Sequence, residues 1–146
     1  MRTLGLDIGD KRTGVAISDP QGIIAIPLTA ITTESEEATI DSIIKLTGQY
    51  EVGCIVIGLP YSLNGSFSQQ TNKVAAFVAK LSSYVKQSKF NQVDIKLWDE
   101  RLSSSAADRL MTEAGTKRKK RKEQRDAMAA AFILQGFLDS RHPELQ

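Results

Sequence analysis

The chain has 146 residues, of which 41% are hydrophobic and 25% charged, and its net charge is +2. That length suits one domain with a real core and excludes a second large lobe. No apolar run approaches the roughly 20 residues of a membrane span. The N-terminus opens on a strand pattern and not on a charged and then apolar leader, so a cytoplasmic protein is expected.

Thr3 to Ile8 and Thr13 to Asp19 are β-rich segments separated by Gly9-Asp-Lys-Arg12, a turn-forming cluster of hairpin size. A carboxylate, Asp7, sits inside the first of them. Burying an ionised carboxylate costs several kcal/mol unless it is paired, hydrogen-bonded or bound to a metal, so Asp7 calls for a partner. After the Asp19-Pro-Gln-Gly22 turn, Ile23, Ile24, Ile26 and Leu28 predict a third strand and a three-stranded antiparallel meander.

The period then changes. Ala38, Ile40, Ile43, Ile44 and Leu46 predict a helix from about Ser35 to Tyr50, and Val52 to Gly58 reads as a strand buried on both faces. Cys54 lies in that run and reads as core; as the single cysteine it excludes an internal disulfide and leaves a zinc site without cysteine partners. A loop rich in turn formers follows, Tyr61-Ser-Leu-Asn-Gly-Ser66. Val74, Phe77, Val78, Leu81 and Val85 then predict a helix from about Gln70 to Lys86, and Val93 to Trp98 predicts a last strand.

The final third reads as helical. Ser105-Ala-Ala-Asp108 has the spacing of a capping box with Asp in place of Glu or Gln, and Gly115 suits a helix stop. Residues 117 to 125 hold seven basic side chains against one acid, a local +6 that leaves −4 on the rest of the chain. Such a block repels itself and predicts a mobile loop or frayed helix start, either simply solvated or binding phosphates. From Ala127 to Leu134 the sequence is apolar nearly all round, which predicts a helix packed into the body of the domain. Asp126 shares a stripe with Ala130, Ile133 and Phe137, so it points inward at the expected helix start.

Meander, helix, strand, helix, strand is an α/β order, with the later strands joining by right-handed crossovers and running parallel to the first. A five-stranded mixed sheet flanked by helices is expected. Ligands of such sheets gather beyond the carboxyl ends of the parallel strands. Asp7, Gly58-Leu-Pro60 and Asp99-Glu100 stand at three such ends, and Asp126 can join them. Carboxylates gathered in one pocket repel one another unless a cation compensates them. Oxygen ligands suit Mg²⁺ or Mn²⁺, and a pair of such ions about 3.5 to 4 Å apart promotes phosphodiester hydrolysis by activated water, with no side-chain nucleophile. The chemistry suggested is nucleic-acid cleavage. Because the basic run ends at Arg125, beside Asp126, a phosphate-binding patch would adjoin the acidic pocket.

Four motifs carry a family resemblance: Leu6-Asp-Ile-Gly-Asp-Lys-Arg-Thr-Gly-Val-Ala16; Ile57-Gly-Leu-Pro60 with Asn64-Gly65; Trp98-Asp-Glu-Arg-Leu-Ser103; and Asp126-Ala-Met-Ala-Ala130 with Ile133-Leu134. In this order, over nearly the whole chain, they resemble the YqgF family, also called the RuvX or Holliday junction resolvase-like family. The resemblance implies a single ribonuclease H-like domain over residues 1–146, in a cytoplasmic bacterial protein that matures the 5′ end of 16S ribosomal RNA. Carried onto this sequence, the family's acidic positions are Asp7, Glu100 and Asp126, as catalytic residues and metal ligands. Arg125 departs from the pattern, where an apolar residue commonly precedes the aspartate.

Asp99 and Glu100 face opposite sides if extended, so one of them can join Asp7, and Glu100 is chosen on the resemblance. Arg101 can hold a phosphate or orient a carboxylate. Lys11 and Arg12 read as solvated charges at the hairpin tip with phosphate contact as an alternative. Together with Lys117, Arg118, Lys119, Lys120, Arg121, Lys122 and Arg125 they make the candidate nucleic-acid surface. Trp98 reads as core and His142 as part of a polar tail. The expected partner is precursor ribosomal RNA or branched DNA, with ribosomal particles as a further partner, and the protein is a monomer or homodimer. Two other classes remain: an ATPase, from the likeness of Asp7 to Gly14 to the phosphate hairpin of actin-like and sugar-kinase folds, and a non-catalytic assembly factor that binds nucleic acid.

Overall fold

Short β-rich runs buried on both faces build the centre of the sheet. In the computed structural model, which describes residues 1–60, 69–99 and 118–142 (side chains of 118–123 excepted), the strands are β1 (Arg2–Ile8), β2 (Arg12–Ser18), β3 (Ala25–Thr32), β4 (Val52–Leu59) and β5 (Asp94–Asp99). They form one sheet in the order β3-β2-β1-β4-β5, so β1 is central. β2 is antiparallel to β1 and to β3, whereas β4 runs parallel to β1 and β5 parallel to β4. The expected meander and both parallel crossovers are present.

Helices cover both faces. On one side lie α1 (Glu36–Gln49) and α2 (Gln69–Gln87), whose Ile40, Ile43, Val74, Phe77 and Leu81 bury Leu4, Leu6, Ile55 and Ile57 of the sheet. The Ser35 hydroxyl caps α1 by accepting from the Ala38 amide at 3.1 Å. On the other side α3 (Arg118–Arg141) packs Ala130, Ile133, Leu134 and Phe137 against Ala16 and Val56. β4 is therefore buried from both sides, as its continuous apolar run requires. Among the described residues no helix is long and apolar enough to cross a membrane.

Two expectations are corrected. β3 begins at Ala25, not at Ile23, because the Asp19 carboxylate accepts from the amides of Ile23 (2.7 Å) and Ile24 (2.8 Å) and bends those residues into the turn. Gln135 of α3 then fixes the strand's first residues, its carbonyl accepting from the Ala25 amide and its amide donating to the Ile23 carbonyl, both at 2.9 Å. The second correction concerns the basic run. It is neither a loop nor a frayed start: α3 already begins at Arg118, so Asp126 lies two turns inside it. Lys, Arg, Glu and Gln are good helix formers, and a helix anchored by its apolar half propagates back through them. The predicted helix around Ser105, Asp108 and Gly115, and the 61–66 loop, lie outside the described residues.

Candidate functional site

Three small residues let α3 lie close on the sheet. A methyl group added at Gly5 would stand 2.7 Å from Leu134 Cβ and 3.1 Å from the Ala130 carbonyl oxygen, so β1 turns Gly5 towards α3. Ala16 of β2 is fully buried against the same helix. At Gly14, two residues from Ala16 on the same face of β2, a methyl group would run into the backbone carbonyl of Asp126. Only glycine permits that approach.

This packing positions both inward carboxylates. Asp7 is two residues beyond Gly5, hence on the α3 face, and its cross-strand partner in the β1–β2 register is Gly14. Asp126 therefore stands over the residue that pairs with Asp7. Both acids are half-buried, one near the carboxyl end of the central strand and the other on the helix that closes the face.

Arg12 reaches Asp126 from the first position of β2. Its Nε–H donates to Asp126 Oδ2 at 2.6 Å, and the two side chains are only 30% and 26% exposed. The expectation that Arg12 is a solvated hairpin-tip charge is thus corrected. Two residues from Gly14 in a strand, it lies on the α3 face and not at the tip. The tip itself is closed by the Gly9 amide donating to the Arg12 carbonyl at 3.0 Å. Lys11 remains exposed, and the neighbouring Asp10 meets Lys73 of α2 across 4.0 Å at the surface.

At the β5 end the alternation separates two neighbours. Trp98 turns to the α3 face, where it meets Phe137 edge-on at 6.1 Å and packs on Gly136. Ile95 lies with the α1–α2 core. Asp99, in step with Ile95, is therefore on the face away from Asp7 and Asp126. Glu100, Arg101 and Lys117 lie outside the described residues, as do the side chains of Arg118, Lys119, Lys120, Arg121 and Lys122; Arg125 is exposed. Among the described residues no three His, Cys, Asp or Glu side chains form a metal-binding group; Asp7 and Asp126 are related through Gly14, the register partner of the first and the residue under the backbone of the second.

Elsewhere the chain offers less chemistry. Cys54 is half-buried beside the α3 cluster, and that burial pushes its thiol above the usual cysteine range, which disfavours a thiolate nucleophile. A cleft of about 350 Å³ opens on the opposite face, between Ile8, Thr13, Thr39 and α2, away from the two carboxylates. The readings missed by sequence are the Arg12 ion pair and the role of Gly14. A signal for the second was present: Gly5, Gly14 and Ala16 are small residues at alternating positions of two paired strands, the mark of a closely seated helix.

The RuvX family, described as Holliday junction resolvase, matches residues 1–140. Proteins named "Putative pre-16S rRNA nuclease" from Clostridium botulinum (strain Hall) and Clostridium acetobutylicum are 46% and 44% identical to the chain over 140 residues, covering 96% of it and 98% and 99% of their own lengths. Among solved structures, Thermus thermophilus RuvC in complex with a Holliday junction substrate superposes with a TM-score of 0.58 at 15% identity, covering 97% of this chain and 96% of that one. Fowlpox virus resolvase bound to Holliday junction DNA gives 0.56 at 11%, covering 97% and 99%. These two likenesses identify the fold as ribonuclease H-like.

Proposed function

Because the chain belongs to the RuvX family, we propose that it is a metal-dependent nuclease that hydrolyses phosphodiester bonds of structured nucleic acid and matures the 5′ end of 16S rRNA from its precursor. The observation that carries this reading is that the backbone of Asp126 lies against Gly14, the register partner of Asp7. The two acids come from opposite ends of the chain to the carboxyl end of the central strand, on the face that α3 covers. The names of relatives 44% to 46% identical over nearly their whole lengths support the ribosomal substrate.

Oxygen donors so gathered suit a hard divalent cation, Mg²⁺ or Mn²⁺. Asp7, Asp126 and Glu100 would hold it, and Asp99 lying on the other face favours Glu100 over its neighbour as the third ligand. When bound, the cation supplies Lewis-acid stabilisation of charge at the phosphate under attack. The chain's own contribution would be to hold Asp7 and Asp126 on one face of the sheet under α3 and to bind phosphates with its basic side chains. Lys11, Arg12, Arg101, Lys117, Arg118, Lys119, Lys120, Arg121, Lys122 and Arg125 are the proposed phosphate-binding set. The whole chain acts as one domain, over 1–146, in the cytoplasm.

A second reading, cleavage of branched DNA, is favoured by the family's description as Holliday junction resolvase. One experiment separates the readings: cleavage of a 16S rRNA precursor and of a four-way DNA junction, in Mn²⁺, by the wild type and Asp7→Asn. The expected result is cleavage of the precursor and a loss of 10²-fold or more in Asp7→Asn, with an unchanged circular dichroism spectrum. Cutting of the junction alone selects the second reading. Binding without cleavage in every metal makes the protein an assembly factor, and an active Asp7→Asn or metal-independent cutting refutes the site.

A further inference from the structure

A guanidinium already occupies one of the proposed ligands. Arg12 Nε–H meets Asp126 Oδ2 at 2.6 Å, in a site where neither side chain is more than one-third exposed. Such a charge-assisted bond is stronger than a surface pair. It engages one oxygen of the carboxylate that a divalent ion would use. A cation bound by Asp7 and Asp126 would stand beside a fixed positive charge, and the two cations repel each other. Either the guanidinium lowers the affinity for the metal, or it leaves.

Arg12 is also well placed to leave towards something. It is the residue where the hairpin returns to the sheet, with exposed Lys11 before it and the basic run of α3 ending at Arg125, one residue from its partner. A phosphate brought to the carboxylates would arrive beside it, and a planar guanidinium binds phosphate with the same forked donors that it offers a carboxylate.

Resting on the nuclease reading above, we infer that Arg12 is a positioning residue with two alternating partners. It holds Asp126 while no divalent cation is bound, and it turns to a phosphate of the nucleic acid once a cation has taken Asp126. Before the metal arrives, the ion pair keeps the Asp126 carboxylate compensated on the α3 face. Afterwards the released charge adds one phosphate contact, so metal and nucleic acid favour each other's binding. Linkage makes that effect reciprocal.

The test uses the intact protein as wild type, Arg12→Gln and Arg12→Lys. Mn²⁺ is titrated by the electron paramagnetic resonance of the free ion, and binding of a phosphorothioate RNA hairpin is followed by fluorescence anisotropy against salt, with and without Mn²⁺. Arg12→Gln should bind Mn²⁺ about tenfold more tightly than the wild type, since a repelling charge has gone. For the wild type, adding Mn²⁺ should steepen the salt dependence of RNA binding by about 0.7 to 0.9, the signature of one more phosphate contact; Arg12→Gln should show no such change. Arg12→Lys keeps the charge without the fork and should give an intermediate Mn²⁺ affinity, which carries the test if the glutamine variant is too unstable. Equal or weaker Mn²⁺ binding by Arg12→Gln, in a wild type that binds metal and cuts RNA, overturns the alternation alone. A wild type that neither binds Mn²⁺ nor cuts RNA overturns the nuclease reading and the alternation with it.

Discussion

Gly14 shows how a residue with no side chain can set a site. Its missing Cβ is the space into which the Asp126 backbone descends, directly over the register partner of Asp7. Gly14→Ala would force α3 off β2, because the obstacle is a main-chain carbonyl that cannot rotate away. The expected loss is about 1 to 3 kcal/mol, the usual penalty of overpacking, read by urea denaturation and accompanied by weaker Mn²⁺ binding. Stability and metal binding equal to the wild type would mean that the helix does not depend on this approach. The half-buried places of Asp7 and Asp126 were legible in sequence, the first as a carboxylate in an apolar strand, the second from its helical stripe with Ala130, Ile133 and Phe137. The Arg12 pair was not, since its partners are 114 residues apart and no local pattern connects them.

The connection between β2 and β3 shows the same limit for an element. Ile23 and Ile24 have the side chains of a strand, yet their amides belong to Asp19 and the next residues are tied to Gln135 of α3. Backbone capture outweighs β propensity here. The bond from the Ile24 amide, assisted by that from Ile23, holds the Asp19 carboxyl below its ordinary value of 3.8. A lowered folded-state value means that the contribution is whole above pH 3.8 and fades as the pH falls through the lower folded value. Asp19→Ala should therefore melt below the wild type at pH 7, by on the order of 3 °C, with the gap closing in melts taken progressively below pH 3.8. A gap independent of pH would show that the charge on Asp19 contributes nothing. The start of α3 escaped sequence reading for a related reason: like charges argue against order locally, whereas the anchored apolar half beyond Asp126 decides the outcome.

Sheet order was the most legible property of the whole molecule, because hydrophobic period and connection length leave few topologies for three short-linked strands and two helical crossovers. Charge distribution was legible too, and it sets a test at this scale. Three lysines of the basic run, Lys119, Lys120 and Lys122, precede Asp126 on the same helix. Replacing all three with Gln should reduce the slope of log affinity for RNA against log salt by about 2 to 3, at 0.7 to 0.9 per phosphate contact, while thermal stability changes little. An unchanged slope would place the phosphate path elsewhere.

The order in which the chain is made bears on when it can act. α3 is the last of the described elements in the chain, and it lies over β1, β2 and β4, all translated long before it. At about 5 to 20 residues per second, the 24 residues of α3 take about 1 to 5 s to add. Until Asp126, the ninth of those residues, has been added, Asp7 stands without it on a sheet that α3 does not yet cover. Under the proposed function, the site is then incomplete while the chain is still being built on a ribosome, because translation itself withholds the second proposed ligand.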